Sequence, residues 1–110
     1  PNDIAMIKEI LERRFNHREW SFPEVILIDG GKAQLNMGKR IKNKKQETKN
    51  IKIISLAKKH NELFIEDREK PILLKTLPRE VFNLILQLRD EAHRFAISYH
   101  KKLRKIDTFK

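Results

Sequence analysis

The longest aliphatic run in the chain, Val25-Ile26-Leu27-Ile28, is only four residues long and stops at Asp29-Gly30-Gly31. A run this short falls far below the ~20 residues that span a bilayer. It is rich in β-branched residues and so suits a strand buried on both faces. The two glycines end it and allow a tight turn. From Lys32 the spacing becomes helical, with Leu35, Gly38 and Ile41 inward. A second buried run follows over residues 51–57. Strand, helix and strand joined by short links predict a right-handed βαβ unit with parallel strands.

The remaining elements arrange themselves around that unit. Residues 3–15 read as a helix with Ile4, Ile7, Ile10 and Leu11 on one face, Asn2 as its cap and Asp3 in its first turn. Residues 16–23 form a loop, and residues 42–50 form a polar loop in which only Glu47 is acidic. Leu63-Phe64-Ile65 and Ile72-Leu73-Leu74 flank a polar stretch and read as a hairpin. From Pro78 to about Leu103 a single long helix is expected. Its core stripe is Val81, Ile85, Leu88, Ala92, Phe95 and Tyr99, stepping by four and three. The order αβαβββα defines an α/β domain with a mixed sheet flanked by helices. So small a sheet leaves an open edge, and further strands are expected upstream of Pro1.

Composition narrows the function. With 110 residues the chain suits one domain. It has no cysteine, which excludes disulfide frameworks, zinc ribbons, Fe–S clusters and thiol nucleophiles. It begins at Pro1 without an initiator Met or a leader, as a piece of a longer protein would. Twenty-five Lys and Arg against 15 Asp and Glu give a formal net charge of +10, which points to a polyanionic partner, most often nucleic acid.

Asp29 is the most informative residue. It ends a buried strand just before a glycine turn and a helix, where ligand sites form in open α/β sheets. A carboxylate there can ligate a hard cation such as Mg²⁺ or Mn²⁺, or it can simply form an Asp-Gly turn. Gly30-Gly31-Lys32 is not a phosphate-cradling P-loop, because the G-x-x-x-x-G-K-[ST] pattern is absent. Arg89-Asp90-Glu91-Ala92-His93-Arg94 interrupts an otherwise apolar helix pattern. His93 at the border of the buried stripe can bind a metal, move a proton, or sit as a satisfied border histidine. His100 lies seven residues later on the same expected helix face. Asp3 alone reads as a helix-stabilising first-turn acid. Lys58 and Lys59 follow a strand end on the same side as Asp29 and can meet a phosphate or stay solvated. Trp20 reads as a packing anchor in a loop.

Taken together, these segments resemble a known family. Leu27-Ile28-Asp29-Gly30-Gly31-Lys32-Ala33-Gln34-Leu35-Asn36 is similar to the L-I-D-G-G-K-G-Q-L-N segment of the bacterial UvrC endonucleases. Residues 86–96 look like that family's L-Q-x-I-R-D-E-A-H-R-F-A helix. The opening Asn2-Asp3-Ile4-Ala5-Met6 with Arg13-Arg14-Phe15, the strand end Ser55-Leu56-Ala57-Lys58, and His100-Lys101-Lys102-Leu103-Arg104 match in family order. Ala33 stands for the usual glycine, Lys101 for an arginine, and Asn2 where an Asp is frequent.

The resemblance implies an RNase H-like nuclease domain that makes the incision 5′ to a lesion in nucleotide excision repair. It implies Asp29 and His93 as catalytic metal-site residues, Asp3 as a further acidic one, and Mg²⁺ or Mn²⁺ as the cofactor. The family's leading catalytic Asp belongs to an upstream strand that this sequence lacks, so the chain is expected to be a partial domain. Lys32, Lys58, Lys59, Arg94, Lys101, Lys102 and Arg104 are expected to meet the DNA backbone, with the basic stretch 39–59, by counterion release. The implied partners are damaged double-stranded DNA and the UvrB and UvrA proteins, in the bacterial cytoplasm, with no membrane and no small-molecule substrate. The Asp29 and His93 side chains are expected within metal-bridging reach, on the order of 4–8 Å. Without the upstream strands, the Asp29 strand is expected to keep an unpaired side, leaving the chain marginally stable or self-associating and inactive alone. The competing reading is a non-catalytic nucleic-acid-binding module of the same fold.

Overall fold

The computed structural model describes the backbone of residues 2–17, 19, 21–95 and 97–100, and the side chains of residues 4–17, 19, 21–90 and 92. Its elements are α1 (Asn2–Asn16), β1 (Val25–Asp29), α2 (Lys32–Lys42), β2 (Lys52–Ala57), β3 (Glu62–Ile65), β4 (Ile72–Leu73), α3 (Arg79–Phe95) and β5 (Ile97–His100). The strands form one mixed sheet in the order β4-β3-β2-β1-β5. β1 and β2 run parallel, with Val25 opposite Lys52 and Asp29 opposite Leu56. The other neighbours are antiparallel. This is the α/β architecture of an RNase H-like domain.

Period-two alternation explains the layers. In β1, Val25 and Leu27 point to one face and Ile26 and Ile28 to the other. The first face packs on α3 through Val81, Leu84, Ile85, Leu88 and Ala92, with Ile54, Leu56 and Leu63 from the sheet. The second packs on Ile7, Leu11 and Phe15 of α1 and Leu35 and Ile41 of α2. Gly38 makes the close approach of α2 possible. A Cβ there would lie 2.7 Å from Ile28 Cδ1 and 2.9 Å from Ile53 Cγ2.

Two expectations are corrected. The last helix does not run to Leu103 but ends at Phe95, and Ile97–His100 forms β5, antiparallel to β1 with Ile97 opposite Ile28 and His100 opposite Val25. The element order is therefore αβαβββαβ. Phe95 and Tyr99 continue the helical spacing, but Ile97 and Tyr99 also suit a strand, and pairing with β1 satisfies backbone groups that would otherwise be orphaned in the sheet. The second correction follows from the first. The side of β1 expected to stay unpaired is covered by β5, which removes that ground for expecting self-association. His100 consequently lies at the opposite end of β1 from Asp29 and shares no helix face with His93. Trp20 lies outside the described residues.

Candidate functional site

Asp29 is the last residue of β1, at the carboxyl ends of the two parallel strands. The turn behind it is tied down on three sides. Gly30 N–H donates to Leu56 O at 2.9 Å. Ser55 Oγ donates to Gly31 O at 2.9 Å. Gly31 N–H donates to Gln34 Oε1 at 2.8 Å, so the third residue of α2 caps its own helix start. Gly30 has φ +152°, and a Cβ there would meet the Gln34 side chain at 2.5 Å. The chain therefore needs glycine at this point to bring Asp29, the turn and α2 together.

The chain delivers several expected site residues to this same end. Lys32 opens α2 and is exposed. Lys58 and Lys59 lie in the single 3-10 turn that follows β2. Lys58 Nζ is 3.1 Å from Asp29 Oδ2, the two side chains being 31% and 28% exposed. Lys45 donates to Phe15 O, and Lys44 pairs with Glu12, so the last turn of α1 meets the far end of α2. The two helices thus run the same way, and the backbone of Asp3, in the first turn of α1, lies towards the Asp29 end. His93 and Arg94 close α3, and Ile97 beyond them pairs with Ile28, next to Asp29. The side chains of Asp3, His93 and Arg94 are outside the described residues, and so is the separation of Asp29 from the His93 imidazole. Lys101, Lys102 and Arg104 are outside them altogether.

The basic stretch 39–59 is not one surface. Lys58 and Lys59 sit at the Asp29 end, whereas residues 43–51 lead into the start of β2 at the other end. Lys42, expected in a polar loop, is buried in the last turn of α2. Its Nζ donates to Ile51 O at 2.7 Å and to Glu66 Oε2 at 2.8 Å. A lysine inside a basic run gives no sign of this, because its partner lies 24 residues away.

The donor chemistry bears on the implied metal. Asp29 offers a hard carboxylate oxygen on a rigid strand end, and an ammonium group already occupies a cation position against it. It fits a divalent cation as one ligand. Among the described residues no group of three His, Cys, Asp or Glu could complete such a site. No described helix is long and apolar enough to cross a membrane.

Comparison with known proteins adds the family. The family model described as the UvrC RNase H endonuclease domain matches residues 1–97. UvrABC system protein C of Dictyoglomus thermophilum is 46% identical over 106 residues, covering 94% of this chain and 17% of that protein. The same-named protein of Hydrogenobaculum sp. is 47% identical over 107 residues, covering 94% and 18%. That of Methanothermobacter thermautotrophicus is 35% identical over 108 residues, covering 98% and 18%. The chain thus spans less than a fifth of the length of these relatives.

Proposed function

The chain belongs to the UvrC RNase H endonuclease domain family, and on that premise we propose that it is part of a metal-dependent nuclease centre. Within a longer protein that centre hydrolyses a DNA phosphodiester bond 5′ to a lesion, as a component of a UvrABC excision system. Damaged duplex DNA is the substrate, UvrB and UvrA are the partners, and the compartment is the bacterial cytoplasm. The observation that carries the reading is Asp29, a carboxylate fixed at the carboxyl end of a parallel strand with a cation against it.

Asp29 would hold the cation, Mg²⁺ or Mn²⁺, with His93 and an acidic residue outside this chain as the further ligands. When bound, such a cation would supply positive charge at the scissile phosphate and Lewis acidity. His93 ligates or moves a proton, and Asp3 orients water at the same end of the sheet. Lys32, Lys59 and Arg94, with Lys101, Lys102 and Arg104, contact the phosphate backbone, and Lys58 turns from Asp29 to phosphate once the carboxylate is engaged. The alternative, a non-catalytic binding module, takes the Lys58–Asp29 pair as permanent. Removing metal separates the two. Incision of lesion-containing duplex by the longer protein with its repair partners is expected to stop in EDTA and return with excess Mg²⁺ or Mn²⁺. Cutting that persists in EDTA contradicts the metal-dependent reading.

A further inference from the structure

The opposite end of the sheet carries a second feature. Lys52 pairs with Val25, four residues before Asp29 on β1, so it lies about 13 Å back along the strands at ~3.3 Å per residue. β3 runs antiparallel to β2 with Ile65 opposite Ile54, which returns Arg68 to this end. Lys49, Asn50, Lys52 and Arg68 line a cavity of about 610 Å³. Of its two acidic side chains, one is engaged in the wall and the other stands at the rim. Glu66 Oε2 accepts from Lys42 Nζ at 2.8 Å and from Ile53 N–H at 2.8 Å, with the Lys42 and Glu66 side chains only 10% and 13% exposed. Asp67 is 90% exposed and faces Lys39 at 3.8 Å.

What remains is three cations around one concavity, against the single exposed carboxylate of Asp67. Lys39, Lys42, Lys44, Lys45 and Lys58 each have a hydrogen-bond or ion-pair partner. The side chains of Lys49, Lys52 and Arg68 have none among the described residues. Like charges gathered at a concave surface focus a positive potential, and a bound anion relieves their repulsion. The neutral, hydrogen-bonded Lys42–Glu66 floor holds the cavity's shape.

We propose that this cavity is a second phosphate-backbone site for duplex DNA, separate from the Asp29 end. It would hold the backbone about four phosphates away, at ~3.4 Å per nucleotide along one strand. The choice of DNA rests on the nuclease reading above, while the anion chemistry rests on the cavity alone.

The test is fluorescence anisotropy of the chain with a fluorescein-labelled, undamaged 20-base-pair duplex between 50 and 200 mM salt, about the range over which backbone binding is read. Lys49→Ala/Lys52→Ala/Arg68→Ala is expected to flatten the slope of log affinity against log salt by about 2–3, at ~0.9 for each phosphate no longer neutralised. Affinity at low salt should fall at least about tenfold by the same rule. Lys8→Ala/Lys75→Ala/Arg79→Ala removes equal charge from exposed positions elsewhere and is expected to change the slope by less than about 1. Lys49→Arg/Lys52→Arg/Arg68→Lys should keep it. Far-UV circular dichroism checks the fold. If the triple alanine variant unfolds, Lys49→Ala alone decides, with an expected slope change of about 1. Equal losses in both alanine triples, or no loss in the cavity variant, overturn the proposal. Cutting is not measured, so failure of the nuclease reading leaves this result standing.

Discussion

A lysine ammonium lies 3.1 Å from the Asp29 carboxylate, and both side chains are about one-third exposed. A pair so placed is screened by water and contributes about 0.2–1 kcal/mol, too little to keep a divalent cation from the carboxylate. The glycines beside it matter more for stability. At Gly30 a Cβ would meet Gln34 at a φ of +152°, so Gly30→Ala is expected to cost about 1–3 kcal/mol. At Gly38 the helix-propensity gain of about 0.5–1 kcal/mol competes with overpacking against Ile28 and Ile53, worth about 1–3 kcal/mol, and packing wins. Urea denaturation checks both. A lower midpoint with an unchanged slope is expected for each variant, and a more stable Gly38→Ala would show that α2 does not bear on the sheet as closely as 2.7 Å implies.

At the scale of elements, the buried Lys42–Glu66 pair joins α2, β2 and the turn after β3. Breaking a buried pair leaves an uncompensated charge and costs about 3–5 kcal/mol, while replacing both partners with apolar residues can be nearly neutral. Glu66→Leu is therefore expected to destabilise the fold by about 3 kcal/mol, and Lys42→Met/Glu66→Leu to recover only part of it, because Ile51 O and Ile53 N–H still lose their partners. Equal destabilisation in the single and double variants would show that the pair has no coupled role. Elements were legible where one local signal dominated. The Val25–Ile28 run, the Asp-Gly-Gly break and the three-four spacing of Val81 to Ala92 each had a single reading. β5 was not legible, because Phe95 and Tyr99 fit the preceding helix as well as Ile97 and Tyr99 fit a strand, and only the pairing partner β1 decides between them. Lys42 was hidden for the same reason: its partner is tertiary.

Across the whole molecule, described basic residues fall at both ends of one sheet. One end holds Asp29 and Lys58, and the other holds Lys49, Lys52 and Arg68. The position of Asp29 was readable from the residues around it, since a strand followed by a glycine turn and a helix places it at the carboxyl edge. The side on which Lys58 lies was readable too, from the parallel strands, but its pairing with the Asp29 carboxylate was not. The division of the basic stretch needed the fold itself, because adjacent lysines in sequence are carried apart by β2. The most direct measurement is a denaturing gel of lesion-containing duplex, comparing this chain, the longer protein with its partners, and the longer protein carrying Asp29→Ala. Removing a group that merely supports a metal ligand costs about 10–100-fold, so on the proposal that Asp29 is a direct ligand its loss should reduce the 5′ incision by at least that much and leave most DNA binding, with the chain alone inactive. Undiminished 5′ incision by the Asp29→Ala protein, or robust metal-dependent cutting by the chain alone, would contradict the account.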